Sequence, residues 1–175
     1  MMVLLAFGCS KFSPSETAEQ LEVKSYFDLE GFFEKEKERL AGQQNFKKTV
    51  IVNGETEVNE TAEIDFEKEL TIFSNSDINR PAWSDKYSVD SIFNEKKELV
   101  HIGYETSDEK LRTRKMAVDF NGGAVSKIQI ENMTSTAIAN AQQSLTYEPA
   151  KGYAIESRQK VKTVDGVVLR IEVSF

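Results

Sequence analysis

Tyr26, Leu29, Phe33 and Leu40 are spaced so that they fall along one face of an α-helix, and Phe27 and Phe32 widen the apolar stripe. Ser25 can cap the start of that helix and Gly42 can end it; a helix with such a stripe should lie on a sheet. Phe46 to Val52 reads as a strand running into the turn Asn53-Gly54. The next stretch carries two periods at once. Ile64, Phe66, Leu70 and Ile72 share strand parity, whereas Ala62, Phe66, Leu70 and Phe73 follow a helical repeat. Lys68 would break the alternation, and the Glu and Lys content favours a second helix over roughly 61–74.

From Pro81 onward the pattern changes to alternation, with turn residues every eight to twelve positions or so. Strands are predicted over 87–94, 99–106, 111–120, 124–133, 137–147, 153–164 and 167–175, broken at Ser107-Asp108-Glu109, Asn121-Gly122-Gly123, Glu148-Pro149-Ala150-Lys151-Gly152 and Asp165-Gly166. In the last strand Val167, Leu169, Ile171, Val173 and Phe175 point one way and Arg170, Glu172 and Ser174 the other, so one face is buried and one wet. The predicted class is α+β: two helices packed on one face of a large, curved antiparallel meander sheet of about seven or eight strands.

Composition narrows the function. A chain of 175 residues is long enough for one sizeable core and short for two. Its formal charge of -7 argues against nucleic acid as partner, because binding a polyanion needs a net basic face. The mixed run Glu34, Lys35, Glu36, Lys37, Glu38 and Arg39 reads as a solvated helix face. Cys9 is the only cysteine and His101 the only histidine, so an intramolecular disulfide and a thiolate zinc site are both excluded; no metal and no cofactor is expected.

Met1 to Gly8 is apolar but far shorter than the roughly 20 residues that span a bilayer. It has the apolar core and small terminal residue of a secretory signal and lacks a basic start, so the true start codon is expected upstream. Leu5-Ala6-Phe7-Gly8-Cys9-Ser10 resembles the lipobox of bacterial lipoproteins; Ala6 and Gly8 match well, and Phe7 is a less usual middle residue. The resemblance implies lipidation of Cys9 and a new N-terminus there. Ser10 in place of an inner-membrane retention aspartate, and the lack of an acidic cluster after Cys9, imply an outer-membrane anchor facing the periplasm. The expected organisation is a signal-like segment over 1–8, lipidated Cys9 and a polar linker over 9–24, and a single α+β domain over 25–175.

Helix, strand, helix and meander behind a lipobox is similar to a group of small uncharacterised Bacteroidota envelope lipoproteins. The carrying residues are Asn53-Gly54, Phe66 to Phe73, Asp77-Ile78-Asn79-Arg80-Pro81-Ala82-Trp83 and Lys110-Leu111-Arg112-Thr113-Arg114-Lys115. The resemblance brings no activity with it, and neither catalytic nor ligand-binding residues are assigned.

Catalytic signals are sparse. His101 should face away from Val100, Ile102 and Tyr104, on the wetter side, and no Gly-x-Ser-x-Gly elbow supports a nucleophile. Acid pairs such as Glu55 with Glu57 and Glu67 with Glu69 are too common to carry weight. The cluster Lys110, Arg112, Arg114 and Lys115 could meet anionic lipid or acidic groups, but is read as solvating a sheet edge. Asp90-Ser91-Ile92 resembles a short O-glycosylation pattern, with Ser91 aimed inward by parity. Trp83 should close the core where helices meet sheet.

The expected function is a non-catalytic binding or interaction module, held on the lipid bilayer through acylated Cys9 and directed at an envelope protein or an apolar ligand. The alternatives are a periplasmic carrier of an apolar ligand, or a small envelope hydrolase using His101 with an acid such as Glu105. A lipid-facing barrel is disfavoured by Arg158, Lys160 and Arg170 on the wet faces.

Overall fold

The computed structural model describes residues 26–161 and 164–175, and leaves out the side chains of 164 and 165. Its first helix, α1 (Leu29–Leu40), is capped by Asp28, whose carboxylate accepts from the Gly31 amide at 2.8 Å. Ser25, the predicted cap, lies outside the described residues. A second carboxylate reaches the same helix end from far along the chain: Asp77 Oδ2 accepts from Leu29 N at 2.8 Å and Glu30 N at 3.1 Å. Leu29, Phe33 and Leu40 are fully buried and Tyr26 nearly so, as the stripe predicted. The mixed run differs from expectation. Glu36 and Lys37 are buried, because Glu36 turns inward to accept from the Tyr147 hydroxyl and Lys37 folds back on Glu34.

The strands are β1 (Phe46–Val52), β2 (Glu55–Ala62), β3 (Ser88–Phe93), β4 (Leu99–Glu105), β5 (Thr113–Asn121), β6 (Ala124–Ser135), β7 (Ala139–Glu148), β8 (Gly152–Val161) and β9 (Val164–Ser174). They form one nine-stranded sheet in the order β2-β1-β9-β8-β7-β6-β5-β4-β3, and every neighbouring pair is antiparallel. The class is α+β, with a long meander from β3 to β9 and the β1–β2 hairpin added beside β9. The predicted count of seven or eight strands falls short because β2 was not anticipated. Its sequence, Glu-Thr-Glu-Val-Asn-Glu-Thr-Ala, has no apolar alternation, since an edge strand exposed along nearly its whole length needs only backbone pairing with β1. The Asn53-Gly54 turn between them forms as predicted, with both residues at positive φ.

The predicted helix over 61–74 is shorter and broken. Residues 61 and 62 belong to β2, and the helical part is two single turns, α2 (Phe66–Glu69) and α3 (Thr71–Ser74). Asp65 caps the first of them, accepting from Lys68 N. Because β2 and β3 are opposite edges, residues 63–87 must cross the whole sheet to connect them.

These turns and α1 pack on one face over an aromatic layer. Phe33 stacks on Phe73 with centroids 4.9 Å apart and meets Tyr147 edge-on at 5.0 Å; Phe46, Phe66 and Phe175 continue the layer towards β1. Two acid-centred links pin helix to sheet. Tyr147 donates to Glu36, which also holds Arg39; Tyr153 donates to Glu69, which also holds Lys48. Burial first, and then the bond to the neighbouring carboxylate, pushes both tyrosine hydroxyls well above the usual 10.

The helix layer covers only part of the sheet. Along β9 the inward row passes from buried Val173 through half-buried Ile171 and Leu169 to exposed Val167, and β6 passes from buried Ile128 and Ile130 to exposed Thr134. A polar row marks the border: Thr113, Asn132, Gln143 and Ser157 are successive cross-strand partners, with Ser76 bonded to Thr113 and Asn132 and Arg112 bonded to Gln143.

Phe33→Ala should cost about 3–5 kcal/mol in urea unfolding, whereas Glu57→Ala on the exposed edge should change stability by no more than about 0.5 kcal/mol. Stability should be full below about pH 10 and decline above it, because the unfolded chain loses tyrosine protons that the folded chain keeps. The slope should be about 1.4 kcal/mol per pH unit for each tyrosine still protonated. A urea midpoint that stays flat as pH rises from about 9 to about 11 would contradict the two pins.

Candidate functional site

The ends of the long hairpins extend past the helix layer and carry a groove of about 530 Å³. It lies across the ends of β6, β7, β8 and β9, where they approach the loop over 106–112. Arg114, Met133, Arg158, Lys160, Val167 and Val168 contribute to its wall, and Glu109 is its one acid among the described residues. The site assembles through register: Met133 pairs with Gln142, Gln142 with Arg158 and Arg158 with Val168, so strands widely separated in sequence present one row.

The basic cluster has a different setting from the predicted edge. β5 lies between β4 and β6, so Lys110, Arg112, Arg114 and Lys115 flank an interior strand and cannot be guarding an open edge. Arg114 instead braces the loop, donating to the carbonyls of Asp108 at 2.6 Å and Glu109 at 2.7 Å. Its Nε is buried and has no hydrogen-bond partner among the described residues. Arg112 is spent on Gln143, and Lys115 pairs with Glu105 at 3.1 Å. Lys110 and Lys160 form no ion pair among the described residues.

His101 lies on the face away from the helices, as parity predicted, and is bonded through Nδ1 to Asp119 at 2.6 Å on the neighbouring strand. Its Nε2 leans over Gly103, about 3.4 Å from where a Cβ there would stand. Gly103 and Ala117 floor a depression of about 290 Å³ walled by Ser88, Asp90, Glu105 and Lys115. An orienting carboxylate is thus present, but the Ser88 hydroxyl is bonded to the Glu105 carbonyl at 3.0 Å. Among the described residues no hydroxyl or thiol bonds to Nε2. Glu105 is not brought to His101; four residues along one strand separate them by about 13 Å. Asp119 went unnoticed in sequence because only the β4–β5 register makes it a neighbour.

The remaining candidates fall elsewhere. Ser91 shares its face with Ile102, as parity predicted, yet is exposed because β3 is the outermost strand. Trp83, in the 3-10 turn Pro81–Trp83, packs against the core and carries Arg80 over its ring at 4.8 Å. Asp77 and Asn79 clasp the start of α1: Asn79 accepts from Tyr26 N and donates to the Phe27 carbonyl. Cys9 and the segments 1–8 and 9–24 lie outside the described residues. Among the described residues no cluster of three His, Cys, Asp or Glu could hold a metal, and no helix is long and apolar enough to cross a membrane.

No family model, no curated protein and no solved structure matches this chain.

Replacing Arg114 with Met should weaken the loop by about 1–3 kcal/mol, since two carbonyls lose a charged donor. Hydrogen exchange should quicken at residues 107–112 while the amides of β7 and β8 keep their protection. Unchanged exchange in the loop would show that the brace is dispensable.

Proposed function

We propose that this protein is an envelope lipoprotein, anchored in the outer membrane through an acylated Cys9 and facing the periplasm, whose folded domain is a non-catalytic binding module. The observation that carries the binding reading is the open groove at the hairpin ends, which combines aliphatic walls with Arg114, Arg158 and Lys160. Such a lining suits a ligand with an apolar part and an anionic group: aliphatic contact gives area, and the cations give orientation. A carrier of an apolar ligand is the second reading. The space between helices and sheet is occupied by stacked, fully buried rings such as Phe33 and Phe73, so the hairpin-end groove is the better place for cargo. The hydrolase reading rests on the His101–Asp119 pair alone, without a nucleophile bonded to it among the described residues.

The anchor is tested by intact mass. Protein expressed from its native gene context should begin at a diacylated or triacylated Cys9 and fractionate with membranes, and Cys9→Ala should lose both properties. A soluble chain that keeps 1–8 unmodified would end the lipoprotein reading.

A further inference from the structure

The exposed aliphatic side chains are unevenly placed. Met133, Ile138, Val161, Val167, Val168 and Val52 all lie at one end of the sheet, at the β6–β7, β8–β9 and β1–β2 hairpin ends, with Ile138 70% exposed at a turn. The same end carries Lys110, Arg114, Lys115, Arg158 and Lys160 against Glu55, Glu105, Asp108 and Glu109 among the described side chains, in a chain whose formal charge is -7. Arg158 shares Glu156 with Arg170, and Lys160 has no acid partner among the described residues.

The described chain also begins near this end. Tyr26 packs edge-on against Tyr87 and Tyr104, 5.7 and 5.4 Å away. Tyr87 precedes β3, and Tyr104 is next to the last residue of β4, whose Glu105 pairs with Ser88. From Cys9 to Tyr26 the chain can reach at most about 60 Å.

We propose that the hairpin end is a membrane-docking surface: it rests on an anionic bilayer, with the aliphatic turns in the interfacial layer and lipid phosphates taken by Arg158, Lys160 and Lys110. The proposal names the partner of the groove described above and rests on the same reading of that groove. Small exposed aliphatics flanked by cations match a surface whose apolar interior lies beneath anionic headgroups. A chain tethered near its docking face also meets the bilayer at high effective concentration, so a weak surface contact becomes a lasting one once an acyl chain holds the protein.

The test uses full-length Cys9→Ala, which reads the affinity of the surface without any acyl chain and is therefore independent of whether Cys9 is lipidated. It should co-sediment with phosphatidylcholine vesicles that contain phosphatidylglycerol and stay in solution with phosphatidylcholine alone. Ile138→Glu with Val168→Glu, and separately Arg158→Glu with Lys160→Glu, should weaken binding at least about tenfold. Ile92→Glu with Phe93→Glu, exposed positions at the opposite end, should leave it unchanged. Circular dichroism on each variant confirms that the sheet persists. Absence of binding to the anionic vesicles, or equal binding by the hairpin-end variants, overturns the proposal. So does a dimer in solution that the same substitutions dissociate, because the face would then belong to a second copy.

Discussion

Phe33 is held between Phe73 and Tyr147, three rings from three separate parts of the chain, and this contact joins the helical layer to the sheet. Phe73 lies on the segment that must travel from β2 to β3, and Tyr147 lies near the middle strands of the sheet. With the rings in place, α1 has its inward face fixed, and Glu36 is delivered to the Tyr147 hydroxyl. An acid buried in this way is tolerated because Tyr147 and Arg39 both donate to it. The second pin, at Glu69, repeats the arrangement nearer β1.

The layer is short compared with the strands it covers, and the division of labour in the molecule follows from that. Strands β6 to β9 run ten to twelve residues, while α1, the longest helix among the described residues, has twelve. At about 3.3 Å per strand residue and 1.5 Å per helical residue, strands of this length outreach such a helix roughly twofold. The sheet therefore has a dry, ring-packed half and a half without helical cover, with the polar row from Thr113 to Ser157 between them. The candidate groove belongs to the second half.

Much of the architecture was legible where sequence periodicity and burial coincide. The α1 stripe, the β1 strand with its Asn53-Gly54 turn, and the succession from β4 to β9 follow from local pattern, since each has one side against the core, while β3 was legible from its alternation although it is exposed along its whole length. The β2 strand was not legible, because nothing packs on most of its length and its residues answer only to backbone pairing. Helix 61–74 was overextended for the related reason that Glu and Lys suit both a helix surface and an exposed edge. Glu36 was read as solvated because a charge run does not reveal a tyrosine more than a hundred positions away. The site was less accessible still: Asp119 beside His101, and Met133, Arg158 and Val168 in one row, are products of register. Cys9 and Ser91 are the candidates with a local motif, and Cys9 lies outside the described residues.

The clasp at the start of α1 has a mechanical consequence. A pull applied to the chain ahead of Tyr26 is met first by the two bonds to Asn79 and then by Asp77, which grips the next backbone amides. Both acceptors sit on the strap that crosses from one edge of the sheet to the other, so force entering at one corner is spread along the strap and into the ring layer. Freeing this corner thus requires several hydrogen bonds to fail together, among them the one from Phe27 N to the Tyr104 hydroxyl on β4, so the load is shared between the strap and the sheet.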